Sequence, residues 1–216
     1  MKTRTTLLPV LLIIASLFSG CVTSYESTLS NEDLKKNPMG PTEGFLVGSF
    51  AYQGENPSFF GQLANDRYSS YGYYFRSTDP GNELKGNVAD GLRSFMGIGN
   101  KTDFDIKGGK GEVFILRLPE GNYEFYNYSF YDNRGSFSVT HNRKSDFSIP
   151  FKIEAGKALY VGSIIAKHTW GKNSLGMTIP TGGYHEFENE QTRDLEILTE
   201  KFPILFEYPL IIWDSL

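Results

Sequence analysis

Glu112-Val-Phe-Ile-Leu-Arg-Leu118 runs through Pro119-Glu-Gly121 into Tyr123-Glu-Phe-Tyr-Asn-Tyr-Ser-Phe-Tyr131. The first run is mostly apolar, with the β-branched content of a strand. Pro119 stands where its locked φ starts a turn, and Gly121 closes that turn. The third run is dominated by aromatic side chains, which predicts a second strand. The pair reads as a β-hairpin.

The same texture continues on both sides. Phe147, Ile149, Phe151 and Ile153 alternate with Ser148, Pro150, Lys152 and Glu154, as in a half-buried strand with one wet face. Pro150 cannot donate to a ladder, so this strand belongs at a sheet edge or Pro150 at a bulge. Glu154-Ala-Gly-Lys157 turns the chain into 158–166, which is apolar on both faces. Residues 45–52 are also apolar on both faces, as expected of a strand buried between layers. Residues 71–76 form an aromatic strand, 77–87 a loop around Asp79-Pro-Gly-Asn82, and 210–213 a last apolar strand or buried tail.

Two helices are predicted. Val88, Leu92, Phe95 and Met96 share a helical face, with Asn87 as N-cap and Gly97 as stop. In 191–202, Leu195, Leu198 and Phe202 line one face. Asp194 and Glu196 near the start and Lys201 near the end suit the helix dipole, and Pro203 ends the helix. Seven or more short strands with little helix point to a mainly β fold. We expect an antiparallel β-sandwich of prealbumin or immunoglobulin-like type, with one or two short helices, one of them near the C-terminus. Turn and core residues in 112–166 resemble uncharacterised bacterial lipoproteins with a prealbumin-like sandwich. That resemblance speaks to fold and is nearly silent on function.

The N-terminus reads as an address. Lys2 and Arg4 precede an apolar run from Leu7 to Phe18, too short for a bilayer span of ~20 residues but fitting a signal-peptide core. It ends in Ser19-Gly20-Cys21, which resembles the lipobox of bacterial lipoproteins, although Phe18 stands where that family usually carries Leu. The resemblance implies cleavage before Cys21, palmitate-type acylation of its thiol, and Val22 as a sorting residue for the outer membrane. The expected organisation is a signal peptide over 1–20, a lipidated N-terminus and flexible tether over 21–43, and one β-sandwich domain with a C-terminal helix over 44–216.

Composition narrows the function classes. The chain has 216 residues, 39% apolar and 21% charged, enough for one packed core. Its single cysteine precludes an internal disulfide. The formal charge of −4 becomes −6 once Lys2 and Arg4 are removed, so no basic field for nucleic acid is expected.

No candidate chemistry matches its pattern well. Gly97-Ile-Gly-Asn-Lys-Thr102 resembles a phosphate loop, but Asn100 replaces the glycine before the lysine. Asp103-Phe-Asp-Ile-Lys-Gly108 starts like a calcium loop, but Lys107 and Phe114 occupy ligand positions. His141, His168 and His185 could gather a zinc ion with Glu186 or Asp146, yet none shares a metal spacing with another. Neither a nucleophile elbow nor a Ser-x-x-Lys motif occurs. The clusters Tyr68, Tyr71, Tyr73, Tyr74 and Tyr123 to Tyr131 are either core pairs or a sticky face, and Trp170 is the best exposed anchor.

The expected function is a lipid-anchored envelope protein, periplasmic or surface-facing, that binds or scaffolds an envelope protein or glycan. No catalysis and no cofactor are expected. An envelope hydrolase acting on glycan or peptide and a small-ligand-binding lipoprotein are the alternatives.

Overall fold

The computed structural model describes residues 24–25, 29–54, 68–90, 102–133 and 138–215. The predicted signal peptide, Cys21 and most of the phosphate-loop candidate lie outside them. Among the described residues, no helix is long and apolar enough to cross a membrane.

In chain order the elements are β1 (Ser24–Tyr25), α1 (Asn31–Lys36), β2 (Glu43–Gln53), β3 (Ser70–Ser77), β4 (Lys85–Asp90), β5 (Phe104–Ile106) and β6 (Gly109–Pro119). There follow β7 (Gly121–Asn133), β8 (Ser138–Asn142), β9 (Ile149–Ile153), β10 (Ala158–Lys172), β11 (Thr178–Glu188), α2 (Gln191–Lys201), a 3-10 turn (Pro203–Glu207) and β12 (Leu210–Ile212). They build two facing sheets. One has the order β1-β4-β3-β7-β8, with β9 also on β7. The other has the order β11-β10-β2-β6-β5, with β12 also on β10. The fold is mainly β and chiefly antiparallel, as the sequence predicts. Three pairings are parallel: β1 with β4, β10 with β2, and β10 with β12.

Side-chain alternation divides the core in two. Leu46 and Phe50 of β2 meet Tyr73, Phe75, Phe125 and Phe130 of the opposite sheet. Phe45 and Val47 point the other way, and with Ile115 and Tyr160 they are covered by Leu34 of α1 and Leu198 of α2. Two cores on one strand are why β2 and β10 read as apolar on both faces.

Three expectations need correction. The predicted hairpin is a corner: β6 pairs with β2 and β5, whereas β7 pairs with β3, β8 and β9 in the other sheet. The corner is pinned because the Glu120 N–H donates to Thr42 O at 2.8 Å, and Asp79 accepts from Asn122 N at 2.8 Å and Asn122 Nδ2 at 2.7 Å. The predicted helix at 88–96 begins as strand instead. Val88 lies in β4 opposite Tyr73 and is buried in the inter-sheet core, and residues 91–96 lie outside the described residues.

The expected tether is also largely folded. Ser30 caps α1, its Oγ accepting from Asp33 N at 3.1 Å while the Asp33 carboxylate accepts from Ser30 N at 3.2 Å. The Leu29 N–H donates to Ile115 O at 3.0 Å. Leu34, Leu29 and Met39 pack into the second core.

The edge reading of Pro150 holds. It sits in β9, which pairs on one flank only, with β7. The Pro150 carbonyl accepts from Trp213 Nε1 at 3.2 Å, so this edge offers little to a foreign strand.

Candidate functional site

The last β2 residue paired to β10 is Gln53, opposite Lys167. Beyond it β10 and β11 continue as a two-stranded ribbon, with a bulge between Thr169 and Trp170. Residues 168–172 carry the ribbon about 16 Å past the end of β2.

The ribbon tip is tightly built. The Asn173 side-chain oxygen accepts from the Leu175 and Met177 N–H groups, both at 3.0 Å, and Asn173 N donates to Met177 O at 3.0 Å. Gly176 supplies the left-handed residue of the turn, at φ +77°. The turn displays apolar side chains: Leu175 is 79% exposed, Met177 54% and Ile179 37%. Tyr184 lies farther along β11 at 45%, and Val139 of β8 is exposed as well. Trp170 is only half-buried, and its indole N–H has no partner among the described residues.

At the root of the ribbon lies a buried aromatic cluster. The Tyr68 hydroxyl donates to Gly182 O at 3.1 Å and accepts from Gly182 N at 2.7 Å. His168 is buried, its Nδ1 is 2.9 Å from Gly54 O, and its Nε2 is 2.6 Å from the Tyr71 hydroxyl. A carbonyl only accepts, so the Nδ1 proton points to Gly54. Tyr52 and Tyr71 lie parallel to the imidazole, at 6° and 11°.

The fold brings all three histidines to this region, but separates them with aromatic rings. His141 and His168 flank Tyr68 at 5.8 and 5.1 Å between ring centroids, and His185 sits 5.1 Å from Phe130. Glu186 pairs with Lys167 instead, and Asp146 with Arg76. Among the described residues, no group of three His, Cys, Asp or Glu could hold a metal. His185 is packed against Tyr73, Tyr128 and Phe130, has no hydrogen-bond partner on either nitrogen among the described residues, and is driven by burial to a pKa of about 3.

The tyrosine clusters divide by parity. Tyr68, Tyr71, Tyr73 and Tyr123 are buried. Tyr74 and Tyr126 lie on the outer face of their sheet, where the Arg76 guanidinium covers the Tyr126 ring at 4.5 Å. Arg76 is itself held by Glu124 at 2.7 Å and Asp146 at 3.0 Å. Neither cluster forms an open aromatic face.

A buried polar network lies under α2. Asp194 Oδ2 accepts from Ser49 Oγ at 2.7 Å and from the Tyr160 hydroxyl at 2.8 Å. Asp194 Oδ1 accepts from Arg193 Nη2 at 2.8 Å, and Ser163 Oγ lies 2.8 Å from Ser49 Oγ. Burial, and after it the adjacent Asp194 carboxylate, pushes the Tyr160 pKa up. The sequence offers Asp194 only as a dipole partner, and nothing in its spacing signals Ser49 or Ser163, which lie 145 and 31 positions away. Asp103, the first ligand of the rejected calcium pattern, accepts from Val113 N at 2.9 Å and pairs with Lys201 at 2.7 Å.

At the opposite end of the sandwich a cleft of about 450 Å³ opens between β9 and β12. Phe151, Leu159, Ile211 and Trp213 line its floor, and Lys152, Glu154 and Asp214 its rim.

No family model and no curated protein matches this chain. Among solved structures, a leucine-rich repeat protein from Bacteroides thetaiotaomicron VPI-5482 is similar over 74% of this chain, at 14% identity and a TM-score of 0.33. The chain spans 20% of that protein's length, and a likeness so slight carries neither fold nor function.

Proposed function

We propose that the chain is a lipid-anchored protein of the bacterial cell envelope, held in the outer membrane through Cys21, whose β-sandwich is a binding module. The observation that supports binding is the ribbon tip, which displays Leu175 and Met177 on a hydrogen-bonded turn instead of tucking them into a core. An exposed apolar group held in fixed geometry costs solubility, and its usual return is contact with something else. The anchor is supported by position: the single cysteine of the chain follows the apolar run after two small residues, Ser19 and Gly20.

The test is metabolic labelling with a palmitate analogue, followed by membrane fractionation. The wild-type chain should take up label and stay with membranes through a carbonate wash, whereas Cys21→Ser should take up none and be either released by that wash or left unprocessed. Acyl label on the Cys21→Ser chain, or normal processing with wash-resistant membrane association, would refute the anchor.

The cleft supports a second reading, a small-ligand-binding lipoprotein. Its volume falls in the range of small-molecule sites, and its floor is apolar beneath a charged rim. Native mass spectrometry of protein released from membranes tests it: a reproducible added mass lost in Leu159→Trp supports a carrier, and an unliganded mass opposes it.

A further inference from the structure

We propose that the tip of the β10–β11 ribbon is a membrane-contact finger that enters the interfacial layer of an anionic phospholipid bilayer; the proposal rests on reading the chain as an envelope lipoprotein. Among the described residues, five of the six exposed large apolar side chains, Val139, Leu175, Met177, Ile179 and Tyr184, lie on β8 and the β10–β11 hairpin. A two-stranded finger is convex and narrow. It cannot offer the ~800 Å² per partner of a stable protein interface, but it suits penetration between headgroups.

Its chemistry is layered as an interface requires. Leu175 and Met177 stand at the tip. Lys172 is exposed and is the only formally charged residue from 169 to 185, so the ribbon segment itself brings no carboxylate to an anionic surface. Trp170, opposite Pro180, stands farther back, as aromatic residues do at headgroup level. Lys167, nearer the sandwich, is neutralised by Glu186 and Glu188. The hydrogen bonds of Asn173 hold the tip before contact, so little ordering entropy opposes insertion.

The placement suits an anchored molecule. β1 joins the sheet at Lys85 and Gly86, where β3 ends at Arg76 and Ser77, whereas the ribbon leaves from the other end of the sandwich. A lipid near β1 and a finger at the far end would lay the domain along the bilayer. The anchor supplies the high local concentration that makes so small a second contact effective.

Intrinsic fluorescence reads this directly, because the chain has two tryptophans and Trp213 is buried at the cleft end. The chain from residue 21 onward carrying Cys21→Ser has no acyl group, so binding measured with it is independent of lipidation. Vesicles of phosphatidylglycerol and phosphatidylethanolamine should shift its emission to the blue, brominated acyl chains should quench it, and Trp170→Phe should abolish both effects. Leu175→Asn with Met177→Asn should weaken vesicle binding by roughly tenfold or more while leaving the urea midpoint unchanged, since both side chains are exposed. Lys172→Gln should weaken binding only on phosphatidylglycerol vesicles. Emission unmoved by millimolar lipid overturns the proposal, as does binding indifferent to the Leu175 and Met177 pair. A crosslinker at position 175 that captures an envelope protein, with no vesicle binding, also overturns it and gives the tip to a protein. Failure of acyl labelling in the wild-type chain would instead strike the lipoprotein reading, and leaves the vesicle result to stand or fall separately.

Discussion

Two side chains with buried polar atoms, His185 and Asp194, carry most of the energetic argument at the level of single residues. His185 is neutral inside an aromatic cage, with a folded pKa of about 3 against 6.5 unfolded. As pH falls from 6.5 toward 3 the unfolded chain takes up a proton that the native chain refuses. Stability is therefore lost across that window, at up to ~1.4 kcal/mol per pH unit. His185→Phe removes the proton site and an unpartnered N–H, and should flatten the dependence between pH 6.5 and 4.5 in urea unfolding. An unaltered slope would mean that the imidazole reaches water. Asp194 is the second case. It is fully buried and accepts from Ser49, Tyr160 and Arg193. Asp194→Ala removes the acceptor shared by Tyr160, Ser49 and Arg193, leaving Arg193 only Glu190 and the serine hydroxyls, and should cost about 3–5 kcal/mol in urea unfolding. A loss below about 1 kcal/mol would show that water enters the network and replaces the carboxylate.

Among the elements, the corner between β6 and β7 shows what a sequence can and cannot say. Both strands were legible, because one run is mostly apolar, the other is dominated by aromatic side chains, and a Pro-Glu-Gly turn separates them. Their pairing was not. A hairpin and a corner use the same local signals, and the choice between them lies with β2, which occupies one flank of β6 along its length. The β4 region failed for a related reason. Val88, Leu92, Phe95 and Met96 fit a helical period, but pairing with β3 holds 85–90 extended, and Gly86 leaves room for the Phe75 ring, which a Cβ would approach to 2.5 Å. Tertiary pairing overrides a local period. Helix α2, with Leu198 and Phe202 turned inward and Pro203 after it, was legible almost to the residue. The ribbon tip was not legible: the sequence reading assigned Leu175, Met177 and Ile179 to no element, and only the three-dimensional fold shows them exposed. At the corner itself, a Cβ on Gly121 would stand 2.5 Å from Asp79 Oδ2, the carboxylate that holds Asn122. Gly121→Val should cost about 1–3 kcal/mol. Asp79→Ala beforehand should make the second change cheaper, because the clash is gone. Strict additivity of the two in a double-mutant cycle would place the cost elsewhere.

For the molecule as a whole, the decisive feature is that the sandwich has a third layer. The helices α1 and α2 cover the outer face of the β2 sheet, so the segment before β2 belongs to the fold. Leu34 is 2% exposed, and Leu29 and Met39 pack beside it. At most seven residues, 22 to 28, separate Cys21 from the first residue bonded to β6. That is a reach of about 25 Å at full extension, and less if β1 holds its pairing to β4. A lipid on Cys21 would thus keep the sandwich against the bilayer, where a long tether would let it range freely. Removing residues 22–41 distinguishes the two pictures. A free tether would leave stability unchanged. A structural layer lost with its buried leucine should lower stability by about 2–4 kcal/mol, with the largest exposure over Val113, Ile115 and Phe45. Urea unfolding gives the first quantity and hydrogen exchange of the β6 amides the second. Unchanged midpoints with unchanged exchange would return residues 29–41 to the status of a leash and free the domain to stand away from the membrane.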